Sequence, residues 1–236
     1  MKRNTLSEFT QWVDKQKKPD WPAMPLTHVT KAITAADIIT DKFIRPQRCE
    51  LSDSLRSYLF YGRPAYRING ENVIKVEAAC PCCFVFKGEI INSCCEIYPL
   101  DSGAYFRRLY KGYLMDEMKI QNFSLGKNID RPNRLINTIF RSRINYYLGV
   151  IQVAKSIDKI TQAWQFYTRS YLNLLASVGR NEPDDRMGSI EIIFDTEIAL
   201  DKSLMAVVLP HTLWSDNGKK RMRRGSGPYE KRASTC

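Results

Sequence analysis

The chain has 236 residues, enough for one large domain or two small ones, and with 44% hydrophobic and 11% aromatic residues it can bury a core, which excludes wholesale disorder. Its longest apolar runs, 148–153 and 204–210, fall far short of the roughly 18–20 residues that a membrane span requires. The formal net charge is +11, but residues 1–18 carry +3 and residues 219–236 carry +6, leaving +2 for everything between. The charge is terminal, and the body is nearly neutral.

In chain order, residues 1–25 read as a polar lead-in whose Phe9, Trp12 and Trp21 can serve as anchors ahead of Pro22 and Pro25. No apolar stretch follows the charged start, so no signal peptide is read and a cytoplasmic location is expected. Residues 26–29 predict a short strand. Residues 34–41 predict a helix with Thr34 as its N-cap and Asp37 at the third helical position. A dense aromatic piece, 56–61, is broken by Gly62-Arg63-Pro64. Residues 73–76, 83–86 and 94–98 predict short strands separated by turn residues. Pro99 to Gly103 form a loop, and a helix is expected over 106–115.

Residues 133–177 form a helical block, in which Ile157, Ile160, Trp164, Tyr167, Tyr171 and Leu174 step by three and four as one apolar stripe. Residues 180–189 are an exposed loop; 190–194 and 204–209 predict two strands; and 215–236 form a basic tail. Neither a regular strand–helix alternation nor a glycine-rich phosphate loop is present, so an α+β domain over 26–214 is expected.

Five of the seven cysteines cluster as Cys80-Pro81-Cys82-Cys83 and Cys94-Cys95. Zinc ligands are usually separated by two to four residues, whereas adjacent residues on a strand point to opposite faces. These cysteines therefore read as small apolar strand residues, and no metal site is assigned.

Three features carry chemistry. His28 is one of two histidines and lies in Leu26-Thr27-His28-Val29-Thr30. Tyr58, Tyr61 and Tyr66 with Arg63 and Arg67 interleave aromatic faces, suited to stacking on a planar ring, with guanidinium forks suited to phosphate. Glu191 opens an apolar strand directly after a charged loop, a placement suited to a carboxylate acting in a cleft. Each has a plain structural reading as well: a core histidine, an aromatic strand with solvated arginines, and an outward strand residue.

In this order the residues resemble the ADP-ribosyltransferase superfamily in its His-Tyr-Glu branch. Leu26-Thr27-His28-Val29-Thr30, then Ala36-Asp37-Ile38-Ile39 and Phe43-Ile44-Arg45-Pro46, are similar to the opening of DNA-targeting ADP-ribosyltransferase toxins. Ser189-Ile190-Glu191-Ile192-Ile193-Phe194, followed by Leu204 to Pro210, is similar to the superfamily's glutamate strand and its partner, with residues 180–189 as the target-recognition loop. Leu59-Phe60-Tyr61-Gly62-Arg63-Pro64-Ala65-Tyr66-Arg67 and Tyr98 to Ala104 resemble segments of bacterial proteins associated with phage defence.

The resemblance implies a split mixed or antiparallel sheet with 133–177 as a helical insertion. It implies NAD as substrate and cleavage of its nicotinamide–ribose bond. Glu191 and His28 would be catalytic, with a tyrosine, Tyr61 for preference over Tyr58 and Tyr66, stacking on the nicotinamide. Thr30, Arg45, Arg63 and Arg67 complete the implied cofactor contacts, Arg63 and Arg67 first for the pyrophosphate. A nucleic-acid or protein acceptor and a cognate antitoxin are the implied partners. The competing expectations are a non-catalytic nucleic-acid-binding module and an NAD glycohydrolase of the same fold.

Overall fold

The computed structural model describes residues 6–48, 54–66, 76–153, 157–177 and 185–214. The expected strand at 73–76 falls, but for Val76, outside them, as do the first part of the charged loop and the basic tail. In chain order the elements begin with α1 (Glu8–Asp14), β1 (Leu26–Lys31), α2 (Ala32–Asp41), β2 (Phe43–Ile44), β3 (Gln47–Arg48) and β4 (Leu55–Tyr61). Next come β5 (Pro81–Phe86), β6 (Glu96–Tyr98), α3 (Ser102–Phe106), α4 (Arg131–Phe140), α5 (Arg143–Tyr147), α6 (Ile157–Ile160) and α7 (Phe166–Ala176). The chain closes with β7 (Glu191–Phe194), β8 (Ile198–Ala199), α8 (Leu200–Ser203) and β9 (Leu204–Val208).

The architecture is α+β. One sheet runs β6-β7-β4-β1-β5-β9 with β3 attached to β4, and β2 pairs with β8 apart from it. Every ladder among the described residues is antiparallel. The register assigns the faces, because side chains alternate along each strand. Leu26, His28, Leu59, Tyr61, Phe84, Phe86, Ile97, Ile192 and Phe194 share one face. All but His28 belong to the main buried cluster. Thr27, Tyr58, Phe60, Cys83, Tyr98, Glu191 and Ile193 share the other face, and none of them belongs to that cluster.

The ladder between β1 and β4 is short. Leu26 opposes Tyr61 and Thr27 opposes Phe60, after which β1 continues with β5 alone while β4 continues with β7. The sheet is therefore joined at one end and parted at the other. The joined end is heavily fastened. Tyr61 N–H donates to the Ile190 carbonyl at 2.9 Å, and Gly62 N–H donates to that of Pro25 at 2.8 Å. The Tyr146 hydroxyl accepts from Ile190 N–H at 3.1 Å and donates to the Tyr61 carbonyl at 2.7 Å. Gly62 turns the chain there with φ +72°, and a Cβ on it would lie 2.5 Å from the Met24 methyl carbon, so glycine is required on both counts.

Several local expectations are revised. The segment before β1 is no lead-in, because Phe9, Trp12 and Val13 of α1 are core. Ser7 caps α1 by accepting from Thr10 N–H at 3.1 Å. Asp14 receives Arg131 through two nitrogens at 2.8 and 2.7 Å, and Glu8 accepts from Tyr167 N–H at 3.0 Å.

α2 begins at Ala32 with Lys31 in the cap position, so Thr34 lies inside it; β1 runs straight into the helix and leaves no loop for a cap. The helix expected over 106–115 is limited to α3, because Arg108 (φ 57°) and Gly112 (φ 97°) adopt left-handed conformations that end it. The stripe from Ile157 to Leu174 is interrupted between α6 and α7, where Trp164 is 60% exposed. Helical periodicity survives only within α7, through Tyr171, Leu174 and Leu175. The block 133–177 packs into the same buried cluster as the sheet, through Leu135, Ile136, Ile139 and Leu172, and so is an integral layer of the core.

No helix among the described residues is long and apolar enough to cross a membrane.

The Phe9 ring meets Phe123 and Tyr171 edge-on at centroid distances of 5.7 and 5.3 Å. Phe9→Ala is expected to lower unfolding free energy by about 3–5 kcal/mol, the cost of emptying a closed aromatic site, read from urea denaturation. A loss under about 0.5 kcal/mol, typical of surface substitutions, would mean that α1 is peripheral.

Candidate functional site

Glu191 is the first residue of β7 and is 2% exposed. Tyr98 of β6 and Phe60 of β4 stand directly opposite it on either side, and Thr27 of β1 stands opposite Phe60. These four residues form one lateral row on the face away from the main core. A carboxylate taken out of water is costly unless hydrogen bonds replace the lost hydration. Part of that replacement comes from the backbone: Ser102 N–H donates to Glu191 Oε2 at 3.1 Å. Ser102 opens α3, whose cap is Asp101; the Asp101 carboxylate accepts from Ala104 N–H at 2.7 Å. Residues 98–102 therefore reach Glu191 twice, by strand register and by hydrogen bond.

Tyr98 is half-buried, and burial, then the negative charges of Glu96 and Glu191, push its phenol up to about 12. It stays a neutral hydroxyl beside the carboxylate at physiological pH. Tyr98, Asp101 and the Ser102 N–H were not singled out from sequence. The available signal was the pattern Pro99-Leu100-Asp101-Ser102-Gly103, in which Asp101 is a cap residue type before a short helix.

His28 stands on the opposite face from Glu191, so the register does not bring the two side chains together on one surface. Its ring lies 6.4 Å from that of Phe84, directly across the ladder. Its Nδ1 is 2.9 Å from the Tyr58 carbonyl oxygen, at the point where β1 and β4 have ceased to pair. The imidazole thus bridges the parted strands. Thr30, farther along β1 opposite Cys82, is half-buried.

The three tyrosines have separate fates. Tyr61 is fully buried in the core; its hydroxyl accepts from Met24 N–H and donates to Asn133 Oδ1, both at 3.0 Å. That ring cannot be offered to a ligand. Tyr58, half-buried, lies on the Glu191 face opposite Ile193, one alternation along β4 from Phe60. Tyr66 is half-buried where the described segment ends.

Among the arginines, Arg45 is exposed and pairs with Asp41 at 3.3 Å. Arg63 is 8% exposed, with Nη1 so close to the backbone that a Cβ on Gly149 or Gly188 would lie 3.2 or 3.3 Å from it. Arg63 is therefore built into the junction between the turn after β4, the helical layer and the approach to β7. Arg67 lies outside the described residues.

Burial pushes the Cys83 thiol up to about 12 and the Cys94 thiol up to about 11, with neighbouring cysteines adding to both shifts. Both are poor thiolate donors at neutral pH. Among the described residues no group of three His, Cys, Asp or Glu side chains is placed to hold a metal ion.

Two consequences are measurable. Tyr61→Phe leaves the Met24 N–H without its acceptor in a buried site and is expected to cost about 1–3 kcal/mol, seen as a lowered unfolding midpoint. The raised Cys83, Cys94 and Tyr98 groups keep their protons in the fold after the unfolded chain has released them from 9.0 and 10.0 upward. Their contribution to stability is complete below those values and is lost as pH climbs through 11 and 12. The urea midpoint should accordingly fall over that window, with a shallower fall in Tyr98→Phe; an equal slope in both proteins would contradict the assignment to Tyr98.

Comparison of the chain with protein-family models, with curated proteins and with solved structures finds no match.

Proposed function

We propose that this chain is an NAD-dependent ADP-ribosyltransferase that modifies a nucleic-acid or protein acceptor, in the manner of a toxin or an anti-phage effector. The observation that carries the reading is Glu191: a buried carboxylate at the mouth of a central strand, with one oxygen fixed by a backbone N–H. The antiparallel sheet parted between β1 and β4, with a histidine bridging the gap, supports it further.

In the proposed reaction the bond between ribose C1′ and the nicotinamide nitrogen breaks, and its electron pair leaves with nicotinamide. Positive charge develops on the ribose. A fixed negative charge in a site of low polarity stabilises that state more strongly than water does. Glu191 supplies the charge and accepts a hydrogen bond from a ribose hydroxyl. The acceptor's lone pair then forms the new bond to C1′, and its proton passes to Glu191 or to solvent.

Tyr58 takes the stacking role in place of Tyr61, since it shares the Glu191 face. His28 acts through the backbone, holding the Tyr58 carbonyl against β1 and thereby setting how far the strands part. Arg63 serves the framework of the site, which leaves Arg67 as the proposed pyrophosphate partner.

The deciding experiment incubates radiolabelled NAD with separate DNA, RNA and protein pools, using the wild type and Glu191→Gln. Label is expected in one pool. The substitution should lower transfer by about 100- to 1,000-fold, the usual effect of removing one preorganised electrostatic group, with little change in NAD affinity. Nicotinamide release without label in any pool would mean that water is the acceptor, as in a glycohydrolase. No release and no label would remove the enzymatic reading.

A further inference from the structure

The carboxylate of Glu191 is held by a group that carries no side-chain chemistry. Ser102 is the first helical residue of α3, and an N–H at that position has no acceptor within its own helix. It can therefore be directed at a neighbouring strand without loss to α3, and it points to Glu191 Oε2 at 3.1 Å. Its aim is fixed by the residue before it. Asp101 is almost wholly buried, sits in extended conformation (φ −68°, ψ 113°) and closes the first turn through Ala104 N–H. The first intrahelical bond, Tyr105 N–H to the Asp101 carbonyl at 3.1 Å, locks the same turn from the backbone side.

We propose that the Ser102 N–H, aimed by the Asp101 cap, is the positioning group for Glu191: it keeps the buried carboxylate ionised and fixes the plane in which it meets substrate. The functional part of this inference rests on the transferase reading; the effect on ionisation does not. A hydrogen bond donated to the charged form of an acid favours that form. The titratable groups facing Glu191 are Tyr98 from β6, a neutral phenol, and Asp101 from the α3 cap, while β4 presents Phe60. Neither titratable neighbour brings positive charge, so the donated N–H bears directly on whether Glu191 is charged.

The geometry permits a clean test. Proline is tolerated at the first helical position, where its fixed φ suits the helix and its missing N–H breaks no helical bond. The residue before a proline must be extended, as Asp101 already is. Ser102→Pro therefore removes the donor and retains the helix start, whereas Ser102→Ala removes the hydroxyl and retains the donor.

The Glu191 carboxylate is followed by pH titration of carbon-13-labelled glutamate, its resonance assigned by its absence in Glu191→Gln. Ser102→Pro is expected to raise the Glu191 titration midpoint by about one unit, and Ser102→Ala to keep the wild-type midpoint. In nicotinamide release from NAD, Ser102→Pro should lower kcat by about tenfold at neutral pH, leave KM within about twofold, and move the acid limb of the profile to higher pH.

A midpoint unchanged in Ser102→Pro would overturn the proposal. A midpoint that moves in a protein whose wild type releases no nicotinamide would leave the positioning role standing and remove the transferase reading. If Ser102→Pro does not fold, Asp101→Gly loosens the cap at a cost of only a few tenths of a kcal/mol. It must move the midpoint the same way, by less; no movement there overturns the proposal equally.

Discussion

Two rungs of backbone pairing, Leu26 with Tyr61 and Thr27 with Phe60, join the halves of the main sheet. Such a short ladder is weak by itself, since each net hydrogen bond contributes only about 1 kcal/mol. The surrounding structure compensates. The Tyr146 hydroxyl straddles the strand ends, Tyr61 is anchored through Asn133 to the Trp21 carbonyl, and Gly62 makes room for Met24. The Thr27 hydroxyl, 3.3 Å from the Phe60 carbonyl and 3.0 Å from that of Arg63, draws the turn after β4 onto β1. With the joint fixed, β4 is free to follow β7 and β1 to follow β5. Tyr58, Phe60 and Glu191 owe their common face to that divergence.

The two faces of the sheet have opposite chemical character. The core face is filled by aliphatic and aromatic side chains and covered by α1, α4 and α7. The other face carries Thr27, Tyr58, Tyr98 and Glu191, whose polar atoms need partners when buried. α3 answers part of this need by bringing the end of a helix, rather than a cationic side chain, to the carboxylate. A backbone donor of this kind has no rotamer to lose and no charge of its own to titrate.

Much of the strand content was legible, because β1, β4, β5, β7 and β9 are runs of β-branched, aromatic and aliphatic residues bounded by turns. The faces were less so. Whether Tyr58 or Tyr61 shares a surface with Glu191 depends on a parity that only strand pairing sets, and a shift of one residue reverses it. Glu191 stood out by type and position; its donor did not, since a peptide N–H is common to every residue but proline. The left-handed Arg108 hid the end of α3, as no sequence pattern singles out an arginine for that conformation. α1 was missed as core because its partners lie far along the chain.

That last distance bears on the order in which the molecule is made. Asp14 and Arg131 are 117 positions apart, Trp12 reaches the Ile160 carbonyl across 148, and Glu8 meets Thr168 across 160. Contacts of such separation close slowly, because loop entropy must be overcome before they repay it. β7, which fills the gap between β4 and β6, comes later still. On the ribosome, β4 and β6 therefore wait with open edges until the last fifth of the chain emerges. Glu191 and its helix-end donor are united in one of the closing steps of assembly, so any chemistry that depends on them begins only when the fold is nearly whole.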